Sequence, residues 1–149
     1  VLGQAQALDR QDANSSLVLS FEIGTARLLF ASDAGVSAWE RMLDSKEDGE
    51  AANVVRGTTF LKVGAHGAQD GTPDCLLKVL PKSGLHAMLP TGNSRLLRPF
   101  PEIPSRSVED DLKARAQHGG EFIRSDAAHD NERENDSEPK LVYSLSLPC

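Results

Sequence analysis

Cysteine is scarce in this sequence, and its two cysteines, Cys75 and Cys149, lie far apart. Neither belongs to a closely spaced pair of the kind that binds structural zinc or exchanges a disulfide. A zinc finger and a CxxC redox centre are therefore excluded within this chain. Reduced thiols are expected, and the scarcity of cysteine favours a cytoplasmic location.

The sequence also lacks a long apolar run and an excess of basic residues. No segment approaches the roughly 18 apolar residues of a membrane-spanning helix, so no membrane partner is predicted. The 16 Lys and Arg residues are outnumbered by 22 Asp and Glu residues, for a net charge of −6. No basic stretch is interleaved with aromatic residues, which argues against a nucleic-acid surface. The first residue is Val1 rather than Met, so we expect a processed product or a partial chain.

What is present is the composition of an ordinary folded protein. The 149 residues are 39% hydrophobic and 26% charged, which fits one modest domain and does not suggest disorder. We predict a single domain over residues 1–149, itself part of a larger fold. Within this range, residues 1–13 are predicted to be an irregular lead-in and residues 126–139 an acidic loop.

A β-hairpin is predicted near the start of the domain. Residues 16–23 alternate apolar with small or polar side chains, which is typical of a half-buried strand. Gly24-Thr25 supplies a two-residue turn, and residues 26–31 form a second, more apolar strand. Asp33 follows that strand directly. Apolar side chains then recur at helical spacing from Val36 to Leu43.

A β-α-β unit is predicted next, because a strand at 58–63 runs into the glycine-flanked loop that contains His66. Pro73 suits the first turn of a helix that ends near Leu80. The remaining predictions are a charged loop at 44–50, a short strand at 86–89, a proline-containing loop or lid at 90–106, a helix capped by Ser107 and ended by Gly119-Gly120, a strand at 121–124 and a final strand at 140–147.

Asp33 and His66 are the candidate site residues, because each lies in a loop that follows an apolar strand. A carboxylate at the end of a buried strand is costly unless it is paired, and a divalent cation would pair with it. Asp33 could instead cap the helix that begins near Val36. His66 could instead be a loop histidine bonded to the backbone.

The order of short motifs resembles one family. Residues 14–34, with Asn14-Ser-Ser-Leu-Val-Leu and Arg27-Leu-Leu-Phe-Ala-Ser-Asp-Ala34, are similar to the "N-x-S-L-V-L…G-x-R-x-L-F-x-G-D-A" stretch of metallo-β-lactamase-fold hydrolases, in the branch similar to competence proteins. Residues 61–68, Leu-Lys-Val-Gly-Ala-His-Gly-Ala, resemble the next motif, "L-K-V-G-H-H-G-S". Residues 86–90, 99–101 and 122–126 follow in the order of that branch, so the resemblance spans nearly the whole chain.

This resemblance implies an α/β fold, specifically an αββα metallo-β-lactamase-type sandwich of which the chain is the C-terminal half. It also implies one or two zinc ions at the sheet edge, which activate water for hydrolysis of an ester, amide or phosphodiester bond. Asp33 matches the metal-binding Asp of "G-D-A". His66 matches the second histidine of "H-H-G-S", which implies a catalytic or substrate-orienting residue. Ala65 stands where the first histidine, the usual ligand, is expected.

The main metal motif of that family, H-x-H-x-D-H, has no counterpart here. A catalytic zinc needs about three protein ligands, whereas the matched motifs offer only Asp33 and His66. We therefore expect a missing N-terminal half or a partner chain to complete the site, with an unknown small-molecule or phosphodiester substrate. The alternative is a non-catalytic scaffold or interaction domain that has lost its metal site, which the Ala65 substitution favours.

Overall fold

One mixed β-sheet organises the protein, whose computed structural model describes residues 15–44, 49–91 and 102–126. The strands follow chain order across the sheet. The first two form the predicted antiparallel hairpin, with Phe21 opposite Leu28, and every later neighbour is parallel. The strands are β1 (Leu19–Ile23), β2 (Ala26–Phe30), β3 (Phe60–Lys62), β4 (His86–Leu89) and β5 (Phe122–Arg124).

Four α-helices lie in the described part of the chain, and most of their positions were predicted. The helix after Asp33 and the helix after Pro73 form as expected. Residues 50–56 form a helix that the sequence analysis missed, although its first residue falls in the predicted charged loop at 44–50. The helices are α1 (Val36–Leu43), α2 (Glu50–Arg56), α3 (Asp74–Val79) and α4 (Arg106–Arg115).

The prediction that Ser107 caps the last helix was wrong by two residues. Ser105 has extended backbone angles and its carbonyl accepts the first helical hydrogen bond, from the Glu109 N–H at 3.0 Å. The helix also ends at Arg115, before Gly119-Gly120. The start is fixed by a tertiary contact, because the Ser105 N–H donates to the Gly67 carbonyl at 2.9 Å.

The hydrophobic core lies between the helices and one face of the sheet. Leu29, Leu61 and Leu89, from three adjacent strands, are at most 1% exposed. They belong to a single cluster with Trp39 of α1 and Leu112 of α4. Parallel strands in chain order with crossovers of one hand place their helices on a common face, which accounts for this one-sided core.

On the hairpin side, the opposite face of the sheet is apolar, and no described element covers it. Leu19, Phe21 and Ile23 of β1 are 41%, 49% and 61% exposed. The ring of Phe21 packs edge-on against that of Phe30, with ring centroids 5.6 Å apart, and the centroids of Phe30 and Phe60 are 6.3 Å apart. Aromatic contacts therefore cross three strands. We call this surface the open face; its members are Leu19, Phe21, Ile23, Leu28, Phe30 and Phe60.

The predicted lead-in at 1–13, the final strand at 140–147 and all of the acidic loop except Asp126 lie outside the described residues. Most of the predicted loop at 90–106 does too. The α/β class is confirmed. None of the helices within 15–44, 49–91 and 102–126 is long and apolar enough to cross a membrane.

Candidate functional site

The carboxyl ends of β2, β3, β4 and β5 meet at one edge of the sheet, because these strands are parallel. Asp33 follows β2 and His66 follows β3, so the topology brings both predicted site residues to this edge. Loops beyond the carboxyl ends of parallel strands are the usual ligand sites of α/β folds. We call this surface the carboxyl edge; its members are the loop residues 31–35, 63–68, 90–91 and 125–126.

Asp33 links the first two loops of the carboxyl edge. Its Oδ1 accepts a hydrogen bond from the Ala65 N–H at 3.1 Å, and the Ser32 carbonyl accepts from the same N–H at 3.1 Å. Asp33 does not cap the following helix, whose N-cap is Gly35 and has no side-chain capping bond. The Asp33 side chain is exposed, and its second carboxylate oxygen has no hydrogen bond in the described part of the chain.

His66 links the second and third loops. Its Nδ1 lies 3.1 Å from the Pro90 carbonyl oxygen. A carbonyl can only accept, so Nδ1 carries the proton and a neutral ring keeps its lone pair on Nε2. The backbone bond expected of an ordinary loop histidine is therefore present. The same bond also fixes the ring and its tautomer, as a backbone carbonyl commonly does for a functional histidine.

The backbone is strained where the first two loops touch. Ser32, Ala65 and His66 all have left-handed backbone angles, with φ of 51°, 43° and 52°. This conformation costs a non-glycine residue about 1 kcal/mol and is enriched at functional sites. A Cβ on Gly64 would lie 2.0 Å from the Ser32 carbonyl oxygen, so only glycine permits this approach. The first two loops are held together through their backbones.

The third and fourth loops are joined by a hydroxyl. Ser125 Oγ accepts a hydrogen bond from the Thr91 N–H at 2.8 Å and donates one to the Thr91 carbonyl. Arg124 lies next to this contact and binds Asp126 through two hydrogen bonds, at 2.9 and 2.8 Å. Its remaining terminal nitrogen donates to Glu109 of α4 at 2.8 Å. The edge is thereby anchored to the helix layer.

The charges in this anchor shift one another's proton affinity. The hydrogen bonds from Arg124 lower the pKa of Asp126 to about 2, against a smaller opposing effect of burial. Asp126 in turn raises the pKa of the Arg124 guanidinium. Burial alone would raise the pKa of Glu109, but hydrogen bonds from Lys113 and Arg124 lower it overall. Asp126, Glu109 and Arg124 are therefore charged at neutral pH.

The donor set at the carboxyl edge does not by itself fit a catalytic zinc ion. Within residues 15–44, 49–91 and 102–126, no three His, Cys, Asp or Glu side chains are grouped closely enough to hold a metal. Asp33 and His66 lie on adjacent loops, and Ala65 between them offers only its backbone. These residues could contribute to a metal site but could not complete one.

Sequence reasoning missed the residues that position the site. The Pro90 carbonyl left no signal, because a backbone acceptor can be supplied by any residue type. Ser125 and Arg124 lie in the segment 122–126 that resembles the family, and Arg124 with Asp126 could have been singled out there as a basic and acidic pair. Glu109 pairs with them only through the tertiary fold.

The other histidines and Cys75 are not gathered at the carboxyl edge. His86 is buried in β4, and His118 is exposed in the turn that follows α4. His129 lies outside the described residues. Burial raises the pKa of the Cys75 thiol, which disfavours the reactive thiolate form.

Comparisons with known proteins returned no match: neither a family model, nor a curated protein, nor a solved structure is similar to this chain.

Proposed function

We propose that this chain is the C-terminal half of an αββα metallo-β-lactamase-type domain and contributes to a zinc-dependent hydrolase. Asp33 is the metal ligand in this proposal, and His66 is the catalytic residue that orients substrate or moves a proton. The proposal rests on the resemblance of motifs together with the geometry of the carboxyl edge.

The contact between the Asp33 and His66 loops is the observation that carries the proposal. The Asp33 carboxylate is fixed by the Ala65 N–H, one residue before His66. The His66 ring is fixed by the Pro90 carbonyl and leaves Nε2 available to accept a proton. An exposed carboxylate and an oriented imidazole on neighbouring strained loops are suited to metal binding and acid-base chemistry.

The open face supports the proposal of a half-domain. An apolar sheet face exposed on this scale is unusual for a protein that is complete by itself, because its burial is the main driving force for layer packing. A second sheet packed about 10 Å away would cover it and make a two-sheet sandwich. We assign that second sheet, together with the missing metal ligands, to an N-terminal half or a partner chain.

A metal and activity assay tests the proposal. We expect the chain to bind zinc and the Asp33→Ala variant to lose this binding. Asp70→Asn, which changes an exposed carboxylate two residues after the His66 loop, should leave zinc binding unchanged. With bis(p-nitrophenyl) phosphate as the probe, His66→Gln should lower the hydrolysis rate about 100-fold without releasing zinc. The assay is run on the chain together with whatever segment or partner co-purifies with it.

The competing function is a non-catalytic scaffold, and a specific observation favours it. One Asp33 oxygen already binds the Ala65 N–H, and the described residues offer no three-ligand group. A folded protein that binds no zinc and does not hydrolyse the probe would refute the hydrolase proposal. If Asp33→Ala then lowers only stability, Asp33 acts as a structural link between loops.

A further inference from the structure

Ser125 binds the chain segment that follows β4. Its N–H donates to the Leu89 carbonyl at 3.1 Å, which continues the pairing of β4 with β5. Its Oγ accepts from the Thr91 N–H at 2.8 Å and donates to the Thr91 carbonyl. Pro90 lies between Leu89 and Thr91, so the residues on both sides of it are bound by Ser125.

A single peptide group connects Ser125 with His66. The Pro90 carbonyl and the Thr91 N–H belong to the same planar group, and they point in opposite directions because this peptide bond is trans. The N–H donates to Ser125 Oγ, and the carbonyl oxygen lies 3.1 Å from His66 Nδ1, from which it accepts. The plane cannot turn without weakening both hydrogen bonds. Ser125 therefore fixes the direction in which the Pro90 carbonyl points.

The residue types at this contact suit that task. The proline ring fixes φ of Pro90 near −65°, so ψ is the backbone angle that turns the Pro90–Thr91 plane. Both groups of Thr91 are bound by one Ser125 oxygen, and a hydroxyl can accept and donate at the same atom. A hydrogen bond at the Thr91 N–H also polarises the peptide group and strengthens the Pro90 carbonyl as an acceptor.

We propose that Ser125 is a positioning residue for His66. By fixing the Pro90–Thr91 plane, it keeps the proton of the neutral imidazole on Nδ1 and leaves the Nε2 lone pair free to accept a proton. Without Ser125 the carbonyl can turn away, and the ring can take the tautomer whose Nε2 carries the proton and cannot act as a base. The use of this base in catalysis rests on the proposed function, whereas its effect on the His66 ring does not.

Nuclear magnetic resonance of the histidine rings tests the proposal without an activity assay. The isotopically labelled chain is measured at about pH 8.5, where an ordinary histidine is neutral. The His66 signals are identified by their loss in His66→Gln. We expect the Nδ1–H tautomer to predominate in the parent chain. Ser125→Ala should lower the ratio of the Nδ1–H form to the Nε2–H form about fivefold, as the loss of one hydrogen bond does.

Further variants separate positioning from stability. Ser125→Thr retains the hydroxyl and should keep the parent ratio. Thr58→Val removes a different hydroxyl, which donates to the Val54 carbonyl at 3.2 Å, and should lower stability without changing the ratio. If Ser125→Ala does not fold, Ser125→Cys replaces it, because a thiol is only a weak donor and acceptor.

Three results would overturn the proposal. The first is a parent chain in which His66 is mainly in the Nε2–H form, a result that needs no variant. The second is an unchanged ratio in the folded Ser125→Ala or Ser125→Cys protein. The third is an equal change in Thr58→Val, which would show that the ratio follows stability alone.

Hydrolysis gives a second readout. With bis(p-nitrophenyl) phosphate as the probe, Ser125→Ala should lower kcat about tenfold and change KM less than about twofold, because it alters a proton acceptor and not a substrate contact. Ser125→Thr should keep the parent kcat. An unchanged kcat of Ser125→Ala in an active preparation would overturn the role of Ser125 in positioning the base. A preparation without hydrolysis refutes the proposed function alone, because the ring signals still decide whether Ser125 positions His66.

Discussion

Gly64 controls how closely the two candidate loops approach each other. Its backbone lies against the Ser32 carbonyl, and the next residue, Ala65, donates to both Ser32 and Asp33. The close approach, and not an unusual φ, requires glycine here, because φ is −83°. A methyl group at this position must push the loops apart.

We predict that Gly64→Ala destabilises the protein by about 3 kcal/mol, as overpacking against rigid backbone does. Urea unfolding followed by circular dichroism measures this change. Gly49→Ala is the control, since a Cβ there meets nothing within 4 Å and only its φ of 57° resists substitution. Its cost should be about 1 kcal/mol. Equal losses in the two variants would contradict the steric explanation.

The sequence indicates Asp33 and His66 as candidate site residues, but it does not indicate how they are held. Both stand out because a polar side chain follows an apolar strand, which is a local pattern. The hydrogen bonds that fix them come from Ala65 and Pro90, at separations of 32 and 24 residues. Backbone groups carry no side-chain signature, so no motif could have indicated these partners.

At the scale of elements, Arg115 joins the end of α3 to α4. It is 6% exposed, pairs with Asp111, and donates to the carbonyls of Leu80 and Pro81 at 3.0 and 2.9 Å. These carbonyls lie just beyond the α3 terminus, where helical partners end. The buried guanidinium therefore acts as a cap supplied by another helix.

We predict that Arg115→Met lowers the free energy of unfolding by about 3 kcal/mol, because it leaves two backbone carbonyls without a donor and one carboxylate without its partner. Chemical denaturation measures the loss. Arg106→Met at the exposed start of the same helix should change stability by less than about 0.5 kcal/mol. A loss confined to Arg106→Met would show that the interhelical cap contributes nothing.

Element boundaries were predicted best where the signals are local. The hairpin turn at Gly24-Thr25 and the helix after Gly35 appear as expected. The start of α4 was misplaced because Ser105 and Ser107 are both plausible caps, and the contact from Ser105 to Gly67 selects between them. Helix α2 was missed because the charged residues before it resemble a loop.

At the scale of the whole molecule, the open face should govern association. Leu17, next to β1, is 67% exposed, and Ile23 is 61% exposed. We predict that the double variant Leu17→Lys/Ile23→Lys binds less of a hydrophobic fluorescent dye and scatters less light, with stability changed by less than about 1 kcal/mol. Asn53→Lys on α2 is the matched control for added charge. Unchanged dye binding would mean that the face is covered in solution.

Acid stability should depend on the anchor between β5 and α4. The pKa of Asp126 is about 2 in the folded chain and about 4 when unfolded, so the unfolded state takes up the proton first. The stabilising contribution of the Arg124–Asp126 pair is therefore fully present above about pH 4, and it is lost as the pH falls from about 4 to about 2. The Arg124 and Asp126 side chains are 31% and 34% exposed, so solvent screening limits the contribution to under about 1 kcal/mol.

We predict that Asp126→Asn lowers the melting temperature at pH 7 and that this difference shrinks to zero near pH 2. Thermal melts across this range measure it. Asp70→Asn, an exposed carboxylate in a loop, should show no comparable pH-dependent difference. A deficit of Asp126→Asn that persists at pH 2 would mean that packing, and not the ion pair, is responsible.

The sequence by itself determined the α/β class, the hairpin and the two strand-end loops that carry Asp33 and His66, because strand and helix periodicity are local properties. The tertiary structure decided that both loops meet at one edge, that Pro90 fixes the His66 ring, and that one face of the sheet is left apolar and open. These features depend on parallel pairing between distant segments, which no local pattern specifies. In our proposal, the carboxyl edge supplies only Asp33 and His66 to the site, and the open face is where the other half of the domain packs.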